Sequence, residues 1–374
     1  MIVGVVKELA PGERRVAVVP KTIAALRKLD LQVSVEHGAG LAAGFTDQDY
    51  AAAGATVLAR DDLFKAAEVI AAVRIQGGDA FAHACTGRVM IGLADPLTRG
   101  PTLPMLAERQ VLTFALELLP RITRAQTMDV LSSQATIAGY KAVLLAAGAL
   151  PKMLPMMTTA AGTLTPARVL VLGAGVAGLQ AIATARRLGA VVSGYDVRPA
   201  AREQISSLGA KPVVLELESA EGEGGYAKQM DDAYYARQRQ QLGAVIKDQD
   251  IVITTAAVPG ARSPLLITAE AVAAMAPGSV IVDLAAERGG NCELTRAGET
   301  VVERGVTIMG PLNLPAEVPN HASQMYSRNI AAFLAVIVKK GALTIDTADE
   351  IVGGTLVTQA GRIINDRVAK VQQP

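Results

Sequence analysis

Short apolar runs punctuate the first 120 residues at 2–6, 31–36, 69–73, 89–93 and 111–117. Each has the length of a buried strand. Between them, 21–29, 61–65 and 103–109 carry helical spacing of apolar and polar positions. Such alternation predicts a mostly parallel sheet covered by helices. A long Ala-rich helical pattern follows at 137–147, and residues 160–166 lead to a second alternating region. There the pattern predicts strands at 169–172, 191–195, 213–217, 251–255, 279–284 and 306–309, with helices at 179–188, 200–208 and 231–245. A helix at 329–338 and a small closing hairpin at 356–364, turning around Gly361, complete the chain. The expected fold is therefore α/β, with two Rossmann-like domains built on mostly parallel, doubly wound sheets. Long helices near 137–147 and 323–338 would link them, with a cleft between. The first domain is expected to be discontinuous, 1–132 plus 312–374, and the second to span 133–311.

One stretch of the second region carries chemistry. The run Val169 to Leu172 leads into Gly173, Gly175 and Gly178 in G-x-G-x-x-G spacing. A helical pattern (Leu179, Ile182, Ala183, Ala185, Leu188) stops at Gly189, and a second strand ends at Asp196. Each piece has a function in a dinucleotide fold. Gly173 allows the tight turn, Gly175 lets a pyrophosphate approach the backbone, and Gly178 lets the helix lie close on the sheet. The helix N-terminus offers unpaired N–H groups and a positive dipole end. Asp196 is placed to accept hydrogen bonds from the adenosine ribose, and its charge disfavours a 2′-phosphate, so NAD(H) is expected over NADP(H). Arg198 works against that discrimination. Without the other pieces, three glycines would be only a Gly-rich turn in an α/β core.

The remaining patterns are less decisive. Residues 121–132 are dense in polar groups, and Asp129 and Ser132 are candidates to cap the helix that follows. Residues 218–230 hold three glycines and three acids around Tyr226, the composition of a mobile loop. It is either an incidental surface loop or a lid over a bound nucleotide. Ala256 to Pro259 would sit at the carboxyl end of a strand, where ligands of open α/β sheets lie. Asp283 and Glu287 end another strand, and the pattern favours a solvated strand end over a site.

Composition narrows the classes. The 374 residues are 51% hydrophobic, ample for two cores, with a formal net charge of +1. No electrostatic argument favours nucleic acid. Aromatics are 3% and Trp is absent, which argues against a base-stacking platform. Two cysteines and three histidines, scattered in sequence, give no metal-ligand or disulfide framework. The N-terminus reads as a strand rather than a signal peptide. The apolar run 330–338 is too short to span a bilayer and meets Lys339-Lys340. The chain is expected to be cytoplasmic and to reach a membrane only through partners.

Beyond the fingerprint, the chain resembles a known family, the soluble NAD(H)-binding alpha-subunit component (domain I) of proton-translocating nicotinamide nucleotide transhydrogenase. The resemblance is carried by Pro11-Gly-Glu-Arg-Arg-Val-Ala, by Pro120 through Gln134, and by Thr159-Ala-Ala-Gly-Thr. It continues in the fingerprint through Asp196-Val197-Arg198, in Gly224-Gly-Tyr-Ala-Lys, and in Ala285 to Cys292 with its Gly-Gly-Asn-Cys. It covers nearly the whole chain, and 121–129 is its most specific segment.

The resemblance implies Si/Re-specific hydride exchange between NADH bound here and NADP⁺ held on a partner subunit, with proton translocation in membrane-spanning subunits. It implies a homodimer at the membrane periphery. It also implies that Arg121, Gln126 and Asp129 face the nicotinamide, with Ser132 just beyond. Asp129 and Ser132 would bind its carboxamide, Arg121 would pair with Asp129 or hold pyrophosphate and ribose, and Gln126 would reach towards the second nucleotide. Val176, Val197, Arg198, Gly225, Tyr226, Gln238 and Ala257 are implied coenzyme contacts. Alanine dehydrogenase shares the fold and supplies the alternative reading, an NAD-dependent amino-acid dehydrogenase. That chemistry needs a Lys and a His on the 2-oxo acid. At the corresponding places this chain has Ala71-Ala72-Val73-Arg74 and Ala94-Asp95-Pro96. Arg15 remains at the substrate-carboxylate position but alone cannot do acid–base work, and Arg74, the cation that could stand in, is a poor proton shuttle.

Overall fold

The computed structural model describes residues 1–217, 230–257 and 262–372. The chain divides into two compact units, Met1–Gln134 with Pro315–Pro374, and Ala135–Leu314. The strands in chain order are β1 (Ile2–Val5), β2 (Gln32–Glu36), β3 (Thr56–Leu58), β4 (Val69–Arg74), β5 (Val89–Leu93) and β6 (Leu112–Ala115). The second unit adds β7 (Met157–Thr159), β8 (Gly162–Leu164), β9 (Arg168–Leu172), β10 (Val191–Tyr195) and β11 (Lys211–Pro212). It continues with β12 (Ile251–Thr254), β13 (Val280–Asp283), β14 (Thr300–Glu303) and β15 (Val306–Met309). The chain then returns to the first unit with β16 (Val338–Lys339), β17 (Ala342–Leu343), β18 (Leu356–Gln359) and β19 (Arg362–Ile363).

The first unit holds an eight-stranded sheet in the order β19-β18-β6-β5-β4-β1-β2-β3, and the second a seven-stranded sheet in the order β11-β10-β9-β12-β13-β15-β14. Pairing is parallel except at one edge of each sheet, where β18 and β19, and β14 against β15, run antiparallel. The Rossmann-like α/β architecture read from the apolar runs is the one observed. Helices cover both faces, so the central strands are largely apolar along their length. Val169, Leu170, Val171 and Leu172 are all 0% exposed. Burial of each is worth roughly 1.5–3 kcal/mol.

Four details differ from the pattern reading. The run 213–217 is not a strand. The ladder with β10 covers only Lys211 and Pro212, and its last bond runs from the Val213 N–H to the Gly194 carbonyl at 2.8 Å. β14 was invisible because its side chains are mostly exposed and do not alternate. The 356–364 hairpin is no appendage, since β18 pairs with β6 and extends the main sheet. The helix expected at 329–338, or from 323 as a linking helix, begins at Pro319, a residue suited to a first helical position. Two polar residues of its early turns, Ser323 and Ser327, are buried. The Ser323 and Ser327 hydroxyls accept the backbone N–H groups of Val16 and Val19 at 2.9 and 3.0 Å.

The Val130–Ala149 helix is, among the described residues, the one helix long and apolar enough to cross a membrane by length and composition. Its buried side chains nevertheless pack in protein cores, Val130 in the first unit and Ala142, Val143 and Ala146 in the second.

Candidate nucleotide site

Sheet topology places the fingerprint. β10 lies on one side of β9 and β12 on the other, so chain direction across the sheet reverses at β9. Ligands of open parallel sheets bind outside the carboxyl ends of the strands at such a switch point. Gly173 leaves β9 with φ +98°, a backbone that side chains rarely adopt, and a Cβ there would lie 2.6 Å from Thr255 Oγ1. A Cβ on Gly178 would lie 1.8 Å from the carbonyl oxygen of Gly173. Both glycines are therefore demanded by packing. Gly175 is different. Its φ is −76°, and a Cβ would meet nothing within 4 Å. Its absence of side chain leaves open space in front of the Val176–Arg187 helix. Gly175 is the N-cap of that helix, no side chain caps it, and its first turn contains no acid. Gly139 of the Val130–Ala149 helix backs the same turn. A Cβ there would approach the Ala177 carbonyl oxygen to 2.1 Å. A glycine in the middle of an Ala-rich helical pattern is its sequence signal.

Asp196 stands at the end of β10, as the spacing required. Its Oδ2 accepts the Ala174 N–H at 2.7 Å and Arg198 Nη2 at 2.8 Å. Its Oδ1 accepts the Arg198 backbone N–H at 2.9 Å and Nε at 2.8 Å. Burial pushes this carboxyl up, but the Arg198 side chain, the two backbone donors and the guanidinium charge outweigh it and hold it below the usual carboxylate range. One acid thus ties the glycine turn to the chain after β10 and neutralises the neighbouring arginine. A ribose hydroxyl would have to share these lone pairs or displace Arg198. Val197 packs partly against the core behind them.

Gln238 is 1% exposed and donates from Nε2 to the Tyr195 hydroxyl at 2.8 Å, while its Oε1 is buried without a partner among the described residues. Ala257, past the end of β12, is exposed. Gly225 and Tyr226 lie outside the described residues. Asp283 corrects an expectation. It is 0% exposed and accepts five hydrogen bonds, so it is no solvated strand end.

The polar stretch belongs to the first unit. Thr123–Met128 forms a 3-10 turn with Ala125 and Met128 buried. Asn329 Nδ2 donates to the Thr127 carbonyl at 2.9 Å, and Arg124 grips Asp349 with two bonds of 2.7 Å. So anchored, the turn leaves Arg121 and Gln126 exposed. Asp129 does cap the Val130–Ala149 helix, since it accepts the Ser132 N–H at 2.9 Å and the Ser132 hydroxyl at 2.5 Å. The anchors Asn329 and Asp349 were not legible in sequence, because each lies some 200 residues from the turn it holds.

Residues 4–138 match the alanine dehydrogenase/PNT N-terminal domain, and residues 142–366 match the alanine dehydrogenase/PNT C-terminal domain. The chain belongs to the alanine dehydrogenase/PNT family. Within it, the chain is 44% identical over 376 residues to an NAD(P) transhydrogenase subunit alpha component of Rhodospirillum rubrum, covering 98% of each. A solved transhydrogenase structure from Sinorhizobium meliloti superimposes with a TM-score of 0.89 at 46% identity, covering 97% of this chain and 100% of that one. A solved L-alanine dehydrogenase matches with a TM-score of 0.83 at 25% identity, covering 99% of each. Both branches of the family thus share this architecture end to end, and identity is much higher on the transhydrogenase side.

Proposed function

We propose that this chain is the NAD(H)-binding component of a proton-translocating transhydrogenase. In this reading hydride passes directly between NADH held on this chain and NADP⁺ held on a partner subunit. The observation that carries the nucleotide assignment is the space in front of Gly175, beside an uncapped helix N-terminus at the switch point. NADH, when bound, supplies the hydride. The N–H groups of the Val176–Arg187 helix would hold its pyrophosphate. Asp196 would hold the adenosine ribose, with Arg198 giving way, and Gln238 and Ala257 would contribute to the same coenzyme. Asp129 and Ser132 would turn the carboxamide, Arg121 would neutralise negative charge, and Gln126 would reach towards the second nucleotide.

Transfer between two nicotinamides needs positioning and water exclusion rather than an acid or base. That accords with a polar stretch lacking His and Lys between Arg121 and Ser132. The oxo-acid alternative is less well supplied. The Arg15 fork donates from Nε and Nη2 to Glu13 at 2.8 and 2.7 Å, and from Nη1 to Gln134 at 2.8 Å. An incoming carboxylate would compete with the chain's own.

The names of the relatives imply partner subunits, and we assign the chain to the cytoplasmic side of a membrane through them. We also assign it to a homodimer. The β7–β8 hairpin, exposed on both strands and carrying Met156, Met157 and Leu164, offers an apolar surface for such contacts.

The decisive experiment mixes the purified chain with an NADP(H)-binding partner and follows reduction of an NADP analogue by NADH. Turnover that requires both proteins is expected. Gln126→Asn should slow it at least tenfold with NADH affinity changed less than threefold. Oxo-acid-dependent NADH oxidation by the chain alone would overturn the reading.

A further inference from the structure

The Gly289-Gly290-Asn291-Cys292 motif lies on the loop after β13, and the proposed hydride transfer gives it no task. Its geometry is unusual. Gly289 and Gly290 both adopt positive φ, +95° and +77°, and a Cβ on Gly290 would press on Asp283 Oδ2 at 2.8 Å. Asp283 is the hub of the loop. Its Oδ1 accepts the Thr254 hydroxyl at 2.8 Å and the Ala285 N–H at 3.0 Å. Its Oδ2 accepts the Asn291 and Cys292 N–H groups at 2.7 and 3.0 Å and the Thr295 hydroxyl at 2.7 Å. A buried carboxylate so fully satisfied folds the loop back against the end of β12.

That fold delivers the side chain of Asn291, 0% exposed, to the backbone of Ala256. Asn291 Oδ1 accepts the Ala256 N–H at 3.1 Å, while Nδ2 donates to the carbonyls of Ala256 and Pro264, both at 2.8 Å. A single amide thus pairs with both backbone groups of one residue, as an adjacent strand would. The main chain of Asn291 is committed too, its carbonyl accepting Leu266 N–H at 2.8 Å and Ile267 N–H at 3.0 Å. One residue earlier, Thr255 reaches the other way. Its N–H donates to the Leu172 carbonyl at 2.8 Å and its hydroxyl to the Gly173 carbonyl at 3.0 Å. Residues 255–257 are therefore strung between the glycine turn and Asn291.

We infer that Asn291 is a positioning residue for the coenzyme: it fixes the carboxyl end of β12 as one wall of the crevice whose other wall is the glycine turn, and Asp283 holds it in place. The inference rests on the dinucleotide reading of that crevice. Asn291 itself touches no coenzyme and acts through Ala256 and Ala257. Removing its amide leaves Ala256 without its pairing, so the backbone there becomes free to move away from the turn.

The test measures NADH affinity of the full chain by equilibrium fluorescence, well below the melting temperature, with amide exchange of residues 251–257 followed in parallel. For Asn291→Ala we expect affinity at least tenfold weaker and exchange at 255–257 at least tenfold faster. Affinity within twofold of wild type, with the variant folded, overturns the inference. Asn291→Asp has the same shape and guards against loss of the fold in the alanine variant. A neutral carboxyl can accept from the Ala256 N–H and donate to one carbonyl, whereas an ionised one faces two carbonyls. We expect its affinity deficit relative to wild type to be at least threefold larger at pH 8.5 than at pH 6. A deficit absent at both pH values overturns the inference. Should the wild-type chain itself take up no NADH, the dinucleotide reading falls, and the exchange measurement still decides whether Asn291 fixes residues 255–257.

Discussion

The two units put the same architecture to opposite use at the same place. In each, strand order reverses beside the first strand, at β1 in the first unit and at β9 in the second. In the second unit the carboxyl edge is left open by Gly175 and an uncapped helix. In the first, the chain's own acids fill the edge. Glu8 accepts the Val73 and Arg74 N–H groups at 2.6 and 3.3 Å, and Glu117 Oε1 accepts those of Ala94 and Asp95 at 2.8 and 2.6 Å. Between them Glu13 holds Arg15 and, at 3.3 Å, Arg74 Nε. A switch point is a site for a phosphate only where its donors are left unclaimed. The first unit has claimed its own.

The largest effect should come from breaking that internal pairing. The side chains of Glu13 and Arg15 are 0% and 2% exposed. Glu13→Ala takes the carboxylate away from buried Arg15, whose Nη1 keeps Gln134, and from Arg74, which should cost about 3–5 kcal/mol. Denaturant unfolding would show it in the transition of the first unit. NADH affinity, measured where the variant is folded, should change less than about threefold, since the loss falls on the stability of the first unit and not on the glycine turn. A loss of NADH affinity as large as the loss of stability would show that the two edges are not independent.

The second break separates glycines that packing needs from the one a ligand needs. Gly178→Ala drives a methyl into the Gly173 carbonyl oxygen and should destabilise the second unit by roughly 2–3 kcal/mol while abolishing measurable NADH binding. Gly175→Ala should leave the melting temperature within about 2 °C, because its backbone is ordinary and its Cβ meets nothing. Its NADH affinity should still fall about tenfold, the roughly 1.4 kcal/mol expected when a methyl stands where the pyrophosphate should lie. Unchanged affinity in Gly175→Ala would mean that the open space is not the phosphate site.

This contrast marks what sequence could and could not convey. The fingerprint was legible because its constraints are local. Gly173, Gly175, Gly178 and Asp196 all act within one β-α-β passage, and their spacing reports the turn, the helix start and the end of β10. The filled edge of the first unit was not legible, because its partners come from β1, β4, β5 and β6, and nothing in Glu8 or Glu117 alone says which N–H groups it meets. Asn291 falls between these cases. Its motif was visible, but its target, Ala256, lies 35 residues away. The run 213–217 teaches the converse, since its apolar residues read as a strand although the ladder with β10 covers only Lys211 and Pro212. Polar residues on the Pro319–Ile337 helix hid its first turns, for Ser323 and Ser327 are buried as acceptors for backbone that the sequence places some 300 residues earlier.

A last break tests whether the acids of the filled edge are held at a cost. Burial pushes the Glu117 carboxyl from 4.5 up to about 7, with the Asp95 charge adding to it and hydrogen bonds from its own backbone, Asp95 and Ala94 opposing. Its Oε2 is buried without a partner among the described residues, although the residue as a whole is partly exposed. The raised value means that the folded first unit holds this proton more tightly than the unfolded chain does. The resulting stabilisation is complete below about pH 4.5 and is lost as pH rises through about 7. Glu117→Gln keeps an acceptor for the Ala94 and Asp95 N–H groups and cannot ionise. Its melting temperature should match wild type near pH 4.5 and exceed it by about 4–6 °C at pH 8.5. That gap corresponds to about 2 kcal/mol once the partial exposure is allowed for. Glu8 titrates in the same range for both proteins and cancels in the difference. If the gap instead closed or reversed at high pH, the ionised carboxylate would be the better partner for those two N–H groups, and the edge would be filled by charge because charge is what it requires.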